Sequence, residues 1–250
     1  MLKKFNLSTF QLHIIAMLLM LCDHVWATLL PEQEWLTCLG RAAFPIFAFL
    51  IAEGVRQTKN LKAYMLRLLI LACLSEIPFD LLYSGIPIYP YHQNVIWTLL
   101  IGLLAMTILE TTRQNDPELN HGLWMTGGLA VTAIAVLAAQ ITMTDYYGYG
   151  ILTIMLFYAT RKQTWPSKII QLIGMYVINV EMLGGLCYQI HLASQTIEIQ
   201  QQAFALLALI PIWLYQNRQG PHNKAVKTVF YGFYPAHMLV LAAIQAIFLK

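Results

Sequence analysis

The stretch AMLLMLCDHVWATLL, residues 16–30, decides the fold class of this chain and raises its main chemical question. With the apolar residues before it, this stretch reaches the roughly 20 residues that cross a bilayer as a helix. An acid, Asp23, and an imidazole, His24, nevertheless lie in the middle of it. Ionisable side chains inside membrane helices are costly, usually face a polar interior and usually serve a function. We therefore expect a membrane protein with a polar interior site.

The composition of the whole chain is that of a helical membrane protein. Of its 250 residues, 58% are hydrophobic and 11% are charged, against about 25% charged residues in soluble domains. Long apolar runs indicate helices rather than the short alternating strands of a barrel. Because a cleaved leader carries no acid in its apolar region, we interpret the first run as a retained helix. The sequence predicts one all-α, multi-pass domain over residues 1–250 in the plasma or inner membrane, without a nucleic-acid-binding motif.

About nine transmembrane helices are predicted, and the distribution of Lys and Arg predicts their orientation. The segments are residues 10–30, 35–56, 61–83, 94–111, 122–143, 148–160, 167–192, 201–216 and 229–249. With nine crossings the N-terminus is cytoplasmic and Lys250 lies outside, because the basic residues then share the cytoplasmic side. A tenth crossing at Gly184-Gly185 would place the last basic cluster outside. The basic residues are Lys3, Lys4, Arg56, Lys59, Lys62, Arg113, Arg161, Lys162, Lys168, Arg218, Lys224 and Lys227.

Three prolines are predicted inside helices: Pro45, Pro78 and Pro235. Each removes the hydrogen bond to the carbonyl group four residues earlier. The carbonyl groups freed in this way belong to Arg41, Leu74 and Tyr231.

Polar residues from several predicted helices fall at a similar depth in the outer half of the membrane. His24 lies some fourteen residues into its helix, about 20 Å from the start. Adjacent helical residues point about 100° apart, so we expect Asp23 to pair with Arg41 or a hydroxyl group while His24 faces the reactive volume. Taken singly, Arg41 could extend to the headgroups, and a carboxylate near a helix end could be solvated. The other residues expected in this cluster are Glu76, Asp80, Asn94, Thr98, Asp145, Tyr149 and His237.

Several motifs are dispersed along the chain: MLCDHV at 20–25, LGRAAFPIFAFLIAEG at 39–54, YMLRLLILACLSEIPFD at 64–80, NVIWTLLIGLL at 94–104, DYYGYGIL at 145–152 and FYGFYPAHMLVL at 230–241. Together they resemble the motifs of the TraX family of membrane acetyltransferases. The resemblance covers nearly the whole chain. The family is more distantly similar to transmembrane acyltransferases such as heparan glucosaminide acetyltransferase. The resemblance implies transfer of an acetyl group from cytoplasmic acetyl-CoA to an acceptor across the membrane. The founding member of the TraX family acetylates the N-terminal amine of a pilin.

The resemblance implies roles for the intramembrane polar residues. Acetyl transfer needs a base for the acceptor's proton and stabilisation of the oxyanion that forms on the thioester carbonyl. His24 is implied as the general base, or as a transient acetyl carrier in a ping-pong reaction. Asp23 would orient or tune the site, and Arg41 would stabilise negative charge or hold a carboxylate. His237, in the matching FYPAH segment, is the second catalytic candidate.

The resemblance also implies binding sites for the two substrates. For acetyl-CoA the candidate residues are Glu53, Lys59, Arg67 and Tyr231. Topology alone explains most cations on the cytoplasmic side; Arg67 is the exception because it lies a turn inside its helix. For the acceptor the candidates are Glu76, Asp80, Asn94, Asp145 and Tyr149. The acceptor itself, a pilin N-terminus, a peptide or a surface glycan, stays open, as do amine or hydroxyl chemistry and the oligomeric state.

Two other functions use the same polar cluster. A transporter would use it as an ion or substrate path, although the inverted repeat common in transporters is not found in the sequence. A membrane hydrolase would use His24, His237, Asp23 and Glu76 to bind a metal. No HExxH-like pair supports that site, so no metal is expected.

Overall fold

A computed structural model describes residues 6–116, 118, 120–192 and 195–248, which form helices and one short hairpin. Lys3, Lys4 and Lys250, which enter the orientation argument, lie outside the described residues. The α-helices are α1 (Thr9–Thr28), α2 (Glu34–Gly40), α3 (Ala43–Gln57), α4 (Leu61–Ser84), α5 (Val95–Asn115), α6 (His121–Ile141), α7 (Tyr147–Ala159), α8 (Trp165–Met175), α9 (Leu209–Trp213) and α10 (Lys224–Phe248). A π-helix, Tyr176–Leu183, continues α8, and a 3₁₀-helix, Gln201–Ala208, leads into α9. Strands β1 (Cys187–Leu192) and β2 (Gln195–Gln200) pair antiparallel.

Local sequence signals begin and end the helices that carry the polar residues. Ser8 caps α1 in a capping box with Gln11, which satisfies two backbone N–H groups at the helix start. The side chain of Asn94 caps α5 by accepting a hydrogen bond from the Ile96 N–H group. Helix α4 ends at Gly85, whose φ of 69° is left-handed and suits glycine. These caps fix where the loops between the helices begin.

Helix α3 is the central helix of the bundle. It packs against α1, α5 and α7, and most of its residues are buried. Helix α10 packs against α1 and α4, and it closes the other side of the space next to α3. Helix α6 contacts α5 and α7 and exposes most of its apolar surface, as expected for a helix at the periphery of a membrane bundle. A space lined in part by polar residues remains between α1, α3, α4 and α10.

The structure supports an all-α membrane protein more firmly than a number of crossings. Five helical segments in the described part of the chain are long and apolar enough to span a membrane: Thr9–Thr28, Glu34–Gln57, Val95–Asn115, His121–Ile141 and Lys224–Phe248. Tyr147–Ala159 and Gln201–Trp213 are apolar but shorter. Helix α4 is long, but Arg67, Glu76 and Asp80 interrupt its apolar length. The predicted nine crossings and the predicted orientation stay predictions.

Two details of the predicted helices are wrong. The helix predicted over 167–192 ends at Leu183, because Gly184 and Gly185 have φ of 69° and 113°, and the chain then enters the hairpin. Helix α3 begins at Ala43, so Pro45 lies in its first turn, where no intrahelical N–H bond is lost. Pro78 and Pro235 do lie inside α4 and α10, as predicted.

Candidate active site

Two histidines from distant parts of the chain meet inside the helical bundle. His24 lies on α1 and His237 on α10, and each is 8% exposed. The Nδ1 atom of His24 is 2.7 Å from the Nε2 atom of His237. The rings of Tyr83 and Tyr234 meet the His24 ring edge-on, with centroids 5.9 and 6.3 Å away. The two histidines selected from the sequence therefore form one buried pair.

The hydrogen bonds of this pair assign one proton to each ring when both rings are neutral. The Nδ1 atom of His237 lies 2.7 Å from the carbonyl oxygen of Phe233, which can only accept, so this nitrogen carries the proton. The Nε2 atom of His237 is then an acceptor, and His24 must donate to it from Nδ1. This arrangement leaves a free lone pair on Nε2 of His24, whose side chain lines a cavity. Such a nitrogen can accept a proton from a bound substrate.

Asp23, the neighbour of His24 on α1, is held by a cation and a hydroxyl group. Its carboxylate forms an ion pair with Arg41, and it accepts a hydrogen bond of 2.7 Å from the Thr37 hydroxyl. Thr37 in turn accepts a hydrogen bond of 3.1 Å from the side-chain amide of Gln201. The predicted pairing of Asp23 with Arg41 or a hydroxyl group is therefore confirmed, with both partners present.

Gly40 allows α2 to approach Asp23 closely enough for these contacts. A Cβ atom at position 40 would lie 2.4 Å from the Cβ atom of Asp23 and 2.9 Å from its Cα atom. The backbones of α1 and α2 would have to separate, because a Cα atom cannot move aside as a flexible side chain can. The close approach of the two helices therefore requires glycine at this position.

We expect Gly40→Ala to lower the free energy of unfolding by about 1–3 kcal/mol, the usual cost of overpacking. Gly127→Ala on α6 is the matched control, since nothing lies within 4 Å of the Cβ position there. Unfolding of the two purified variants in detergent measures the difference. Equal stability of both variants would contradict the structural role of Gly40.

A cavity of about 810 Å³ runs along α1 inside the bundle and passes Asp23, His24 and Arg41. Its walls include α1 residues from Thr9 to Ala27, a helix length of about 27 Å at 1.5 Å per residue. One end, called here the histidine end, is lined by Asp23, His24, Arg41, His92 and Asp145. The other end, called here the lysine end, is lined by Lys59, Arg67, His222 and Lys227. The cavity therefore connects His24 with a cationic region at the opposite end of α1.

All four residues selected as acetyl-CoA ligands line this cavity: Glu53, Lys59, Arg67 and Tyr231. Glu53 is 5% exposed, and its carboxylate accepts a hydrogen bond of 2.8 Å from Arg56. The guanidinium group of Arg67 lies over the Tyr64 ring, 5.7 Å from its centroid. The four residues therefore share one cavity wall, while their role as ligands stays a prediction.

Lysine and arginine side chains, rather than histidine, supply the positive charge of the lysine end. Burial lowers the pKa of His222, and the nearby charge of Lys227 lowers it further. His222 is therefore neutral at pH 7. The cationic groups that face the cavity there are Lys59, Arg67 and Lys227.

At the histidine end, an imidazole and a carboxylate from two loops face each other. The Nε2 atom of His92 lies 3.6 Å from an Asp145 oxygen, an ion-pair contact that is too long for a hydrogen bond. Asp145 raises the pKa of His92; burial lowers it in part, and the carboxylates of Glu76 and Asp80 add to the increase. Protonation of His92 therefore strengthens the contact between the two loops.

Three residues selected as acceptor ligands are outside the cavity wall: Glu76, Asp80 and Asn94. The Glu76 carboxylate accepts hydrogen bonds from the Asn94 side chain at 2.5 Å and from the Trp97 indole at 2.7 Å. The Asp80 carboxylate accepts a bond of 2.7 Å from the Tyr89 N–H group. These contacts fasten loop 85–94 to α4 and α5, while the role of the three residues as acceptor ligands stays a prediction.

The remaining acceptor candidates, Asp145 and Tyr149, differ in position. Asp145 lines the histidine end, and its backbone carbonyl accepts a hydrogen bond from the Thr98 hydroxyl. Tyr149 is half-buried on α7 and does not line the cavity, whereas Tyr146, three residues earlier, does. The ring of Tyr146 stacks on Phe44, with the centroids 4.0 Å apart. The DYYGYG segment therefore contributes its first residues to the site.

Sequence reasoning missed several contributors to the site, namely Thr37, Gln201, Tyr83, Tyr234 and His92. Tyr83 and His92 flank a predicted loop, and Gln201 follows a hairpin that was not predicted. Tyr234 lies in the FYPAH segment, one helical turn before His237. This spacing places both side chains on one helix face and could have identified Tyr234. Among the described residues, no group of three or more His, Cys, Asp and Glu side chains is placed to hold a metal ion.

Comparison with known proteins identifies similar sequences. The TraX protein family matches residues 8–245 of the chain. A probable fimbrial assembly protein FimC, serogroup H1, from Dichelobacter nodosus is 24% identical over 255 residues. That alignment covers 96% of this chain and 97% of the relative. No solved structure matches the chain.

Proposed function

The chain belongs to the TraX protein family, and on that premise we propose that it is a multi-pass acetyltransferase of the plasma or inner membrane. In this proposal the chain crosses the membrane nine times with its N-terminus in the cytoplasm. Acetyl-CoA binds from the cytoplasm at the lysine end, and the acceptor's amine or hydroxyl group enters at the histidine end. A pilin is one candidate acceptor, because the Dichelobacter nodosus relative is described as a fimbrial assembly protein; peptides and surface glycans are the others.

One observation carries this proposal: His24, whose Nε2 atom is left without a partner by its bond to His237, lines a cavity whose opposite end is cationic. A base is required at the acceptor, and cations are required at the phosphates of the donor. The cavity brings both requirements into one continuous space along α1. The residues at both ends therefore fit an acyl donor with a phosphorylated head and a long neutral arm.

The proposed chemistry assigns one role to each group at the histidine end. The nitrogen or oxygen atom of the acceptor bonds to the acetyl carbonyl carbon, and Nε2 of His24 takes the proton that this atom gives up. Arg41 donates to the carbonyl oxygen, where negative charge develops; its Nε atom is buried and finds no acceptor among the described residues. The carbon–sulfur bond then breaks, and His24 returns its proton to the departing thiolate.

Transfer of labelled acetyl tests this function. Purified protein in detergent is supplied with acetyl-CoA labelled in the acetyl group, together with a peptide bearing a free N-terminal amine and an amino sugar. We expect the label in an acceptor, in amounts that grow with enzyme and time. A transporter would leave every acceptor chemically unchanged, and that result across amine and hydroxyl acceptors would contradict the proposal.

His237 is proposed to hold His24 in the tautomer that leaves Nε2 free. We expect His237→Ala to lower turnover by about 10- to 100-fold, as loss of an orienting partner commonly does. His237→Gln should retain most of the turnover, because its amide oxygen can accept the hydrogen bond from His24 in place of Nε2. Steady-state rates of both variants measure this effect, after unfolding temperatures show that both are as stable as the wild type. Equal losses in Ala and Gln variants would contradict the tautomer role.

A further inference from the structure

A second cavity, of about 1210 Å³, adjoins the lysine end of the first one. It lies between the α3–α4 connection, the end of α5, the α7–α8 connection and residues 215–217. The two cavities share Glu53, Thr58, Lys59 and Asn60 as wall residues. A single ligand can therefore extend from the second cavity into the first.

The walls of the second cavity are polar and mainly cationic. Five cationic side chains and two acidic ones line it; the cations are Arg56, Lys59, Lys62, Arg161 and Lys162, and the acids are Glu53 and Glu110. Hydroxyl and amide side chains supply most of the remaining wall, including Thr107, Thr111, Gln114, Gln163, Thr164 and Asn217. This composition suits a polar anion with several hydrogen-bonding groups.

Ion pairs within the protein position two of the cations and leave the lysines unpaired. Arg161 donates a hydrogen bond of 2.7 Å to Glu110, and its guanidinium group lies 5.2 Å from the centre of the Tyr158 ring. Arg56 is held by Glu53 at 2.8 Å and by Asn217 at 2.5 Å. Among the described residues, Lys59, Lys62 and Lys162 form no ion pair. An excess of positive charge is therefore available to a ligand.

We propose that this second cavity binds the phosphorylated nucleotide of the acyl donor, with Lys62 and Lys162 contacting phosphate groups. The inference rests on the proposed function, which supplies the identity of the donor. The pyrophosphate of the donor then lies at Lys59, which both cavities share, and the neutral pantetheine arm continues through the first cavity towards His24. The positive-inside bias alone could explain Lys62 and Lys162, and their place in this cavity favours a role as donor ligands.

Binding of adenosine 3′,5′-bisphosphate tests this site directly, since this compound carries the nucleotide but no pantetheine arm. The protein is placed in phosphatidylcholine nanodiscs, and binding is measured by calorimetry. We expect the K62A/K162A variant to bind about tenfold more weakly or worse, because charge-assisted phosphate contacts are lost. R113A is the matched control, because Arg113 lies near the same end of α5 but outside both cavity walls; it should bind as the wild type does.

Kinetics with two donors provide a second readout. In K62A/K162A the KM for acetyl-CoA should rise while kcat stays unchanged, and the kinetics with acetyl-pantetheine should equal those of the wild type. A general loss of folding would instead affect both donors.

Three results would overturn the inference: wild-type protein that does not bind the nucleotide, a variant that binds it normally, or nucleotide binding that phosphatidylglycerol abolishes. The last result would assign the lysines to a lipid headgroup. The binding measurement needs no turnover. Wild-type protein that binds the nucleotide but acetylates no acceptor would therefore contradict the proposed function alone.

Discussion

Replacing His24 by Asn is expected to reduce acetyl transfer by about a hundredfold or more, the scale of a lost general base. Asn keeps a small polar side chain whose amide N–H can donate to the Nε2 atom of His237, as Nδ1 of His24 does. It has no atom that can take a proton at neutral pH. The variant therefore removes the base while it preserves the buried hydrogen bond, and its expression and unfolding temperature should stay close to those of the wild type.

The matched control for this experiment is His121→Asn, which makes the same replacement at the start of α6 and outside both cavities. Rates are compared with saturating acetyl-CoA and one fixed acceptor peptide. Unimpaired turnover in the His24 variant would remove this residue from the mechanism. A loss in the His121 variant would point to a general effect of the replacement instead.

The second large effect is expected at the ion pair between Asp23 and Arg41. The two side chains are 15% and 16% exposed, and removing one partner of a buried pair commonly costs about 3–5 kcal/mol of stability. Asp23→Asn should therefore destabilise the protein strongly, because Arg41 keeps its charge without a counter-ion. The double variant Asp23→Asn/Arg41→Gln should recover much of that stability, since no unpaired charge remains.

Stability and turnover should separate in this double variant. Arg41 is proposed to stabilise the oxyanion. Acetyl transfer by the double variant should therefore stay low even if its unfolding temperature returns towards that of the wild type. Glu110→Gln/Arg161→Gln is the matched control when acetyl-pantetheine is the donor, because it neutralises a second ion pair, of 2.7 Å, that lies away from the histidine end and lines only the second cavity. Recovery of turnover along with stability in the Asp23/Arg41 double variant would contradict a chemical role for Arg41.

The sequence predicted the polar interior because charged groups within apolar runs are rare and costly. Asp23 and His24 are adjacent, and the 100° between neighbouring helical residues was enough to predict that they would have different partners. The structure bears out the Asp23–Arg41 contact. Helix positions were also predictable where caps and apolar length agree, as for α1, α5 and α6.

Most other contacts between helices could not be predicted from the sequence. Glu76 and Asn94 were selected as acceptor ligands because their depth matched that of His24. A half-buried carboxylate can satisfy its hydrogen bonds within the protein as well as from a ligand, and Glu76 does so through Asn94 and Trp97. Periodicity within one helix carries no information about which neighbour meets its polar face. The His24–His237 contact, 213 residues apart in the chain, is of the same kind.

The hairpin after Gly185 was missed for a different reason. The segment from Cys187 onward continues an apolar run, and the predicted helix 167–192 relied on its length. Two glycines with positive φ end the helical path there, and positive φ is inexpensive only for glycine. The sequence did mark this point as a possible break. What followed the break, two antiparallel strands and a 3₁₀-helix that carries Gln201 to Thr37, could not be read from the apolar pattern.

One cavity is proposed to connect a donor at the lysine end with the base His24 at the other end. Sided proteoliposomes test it most directly, with labelled acetyl-CoA added outside and an acceptor peptide sealed inside. Protein oriented with its lysine end outward should acetylate the enclosed peptide, and the His24→Asn variant should not. Acetylation that occurs only when donor and acceptor share one compartment, or that survives in the His24 variant, would contradict the account.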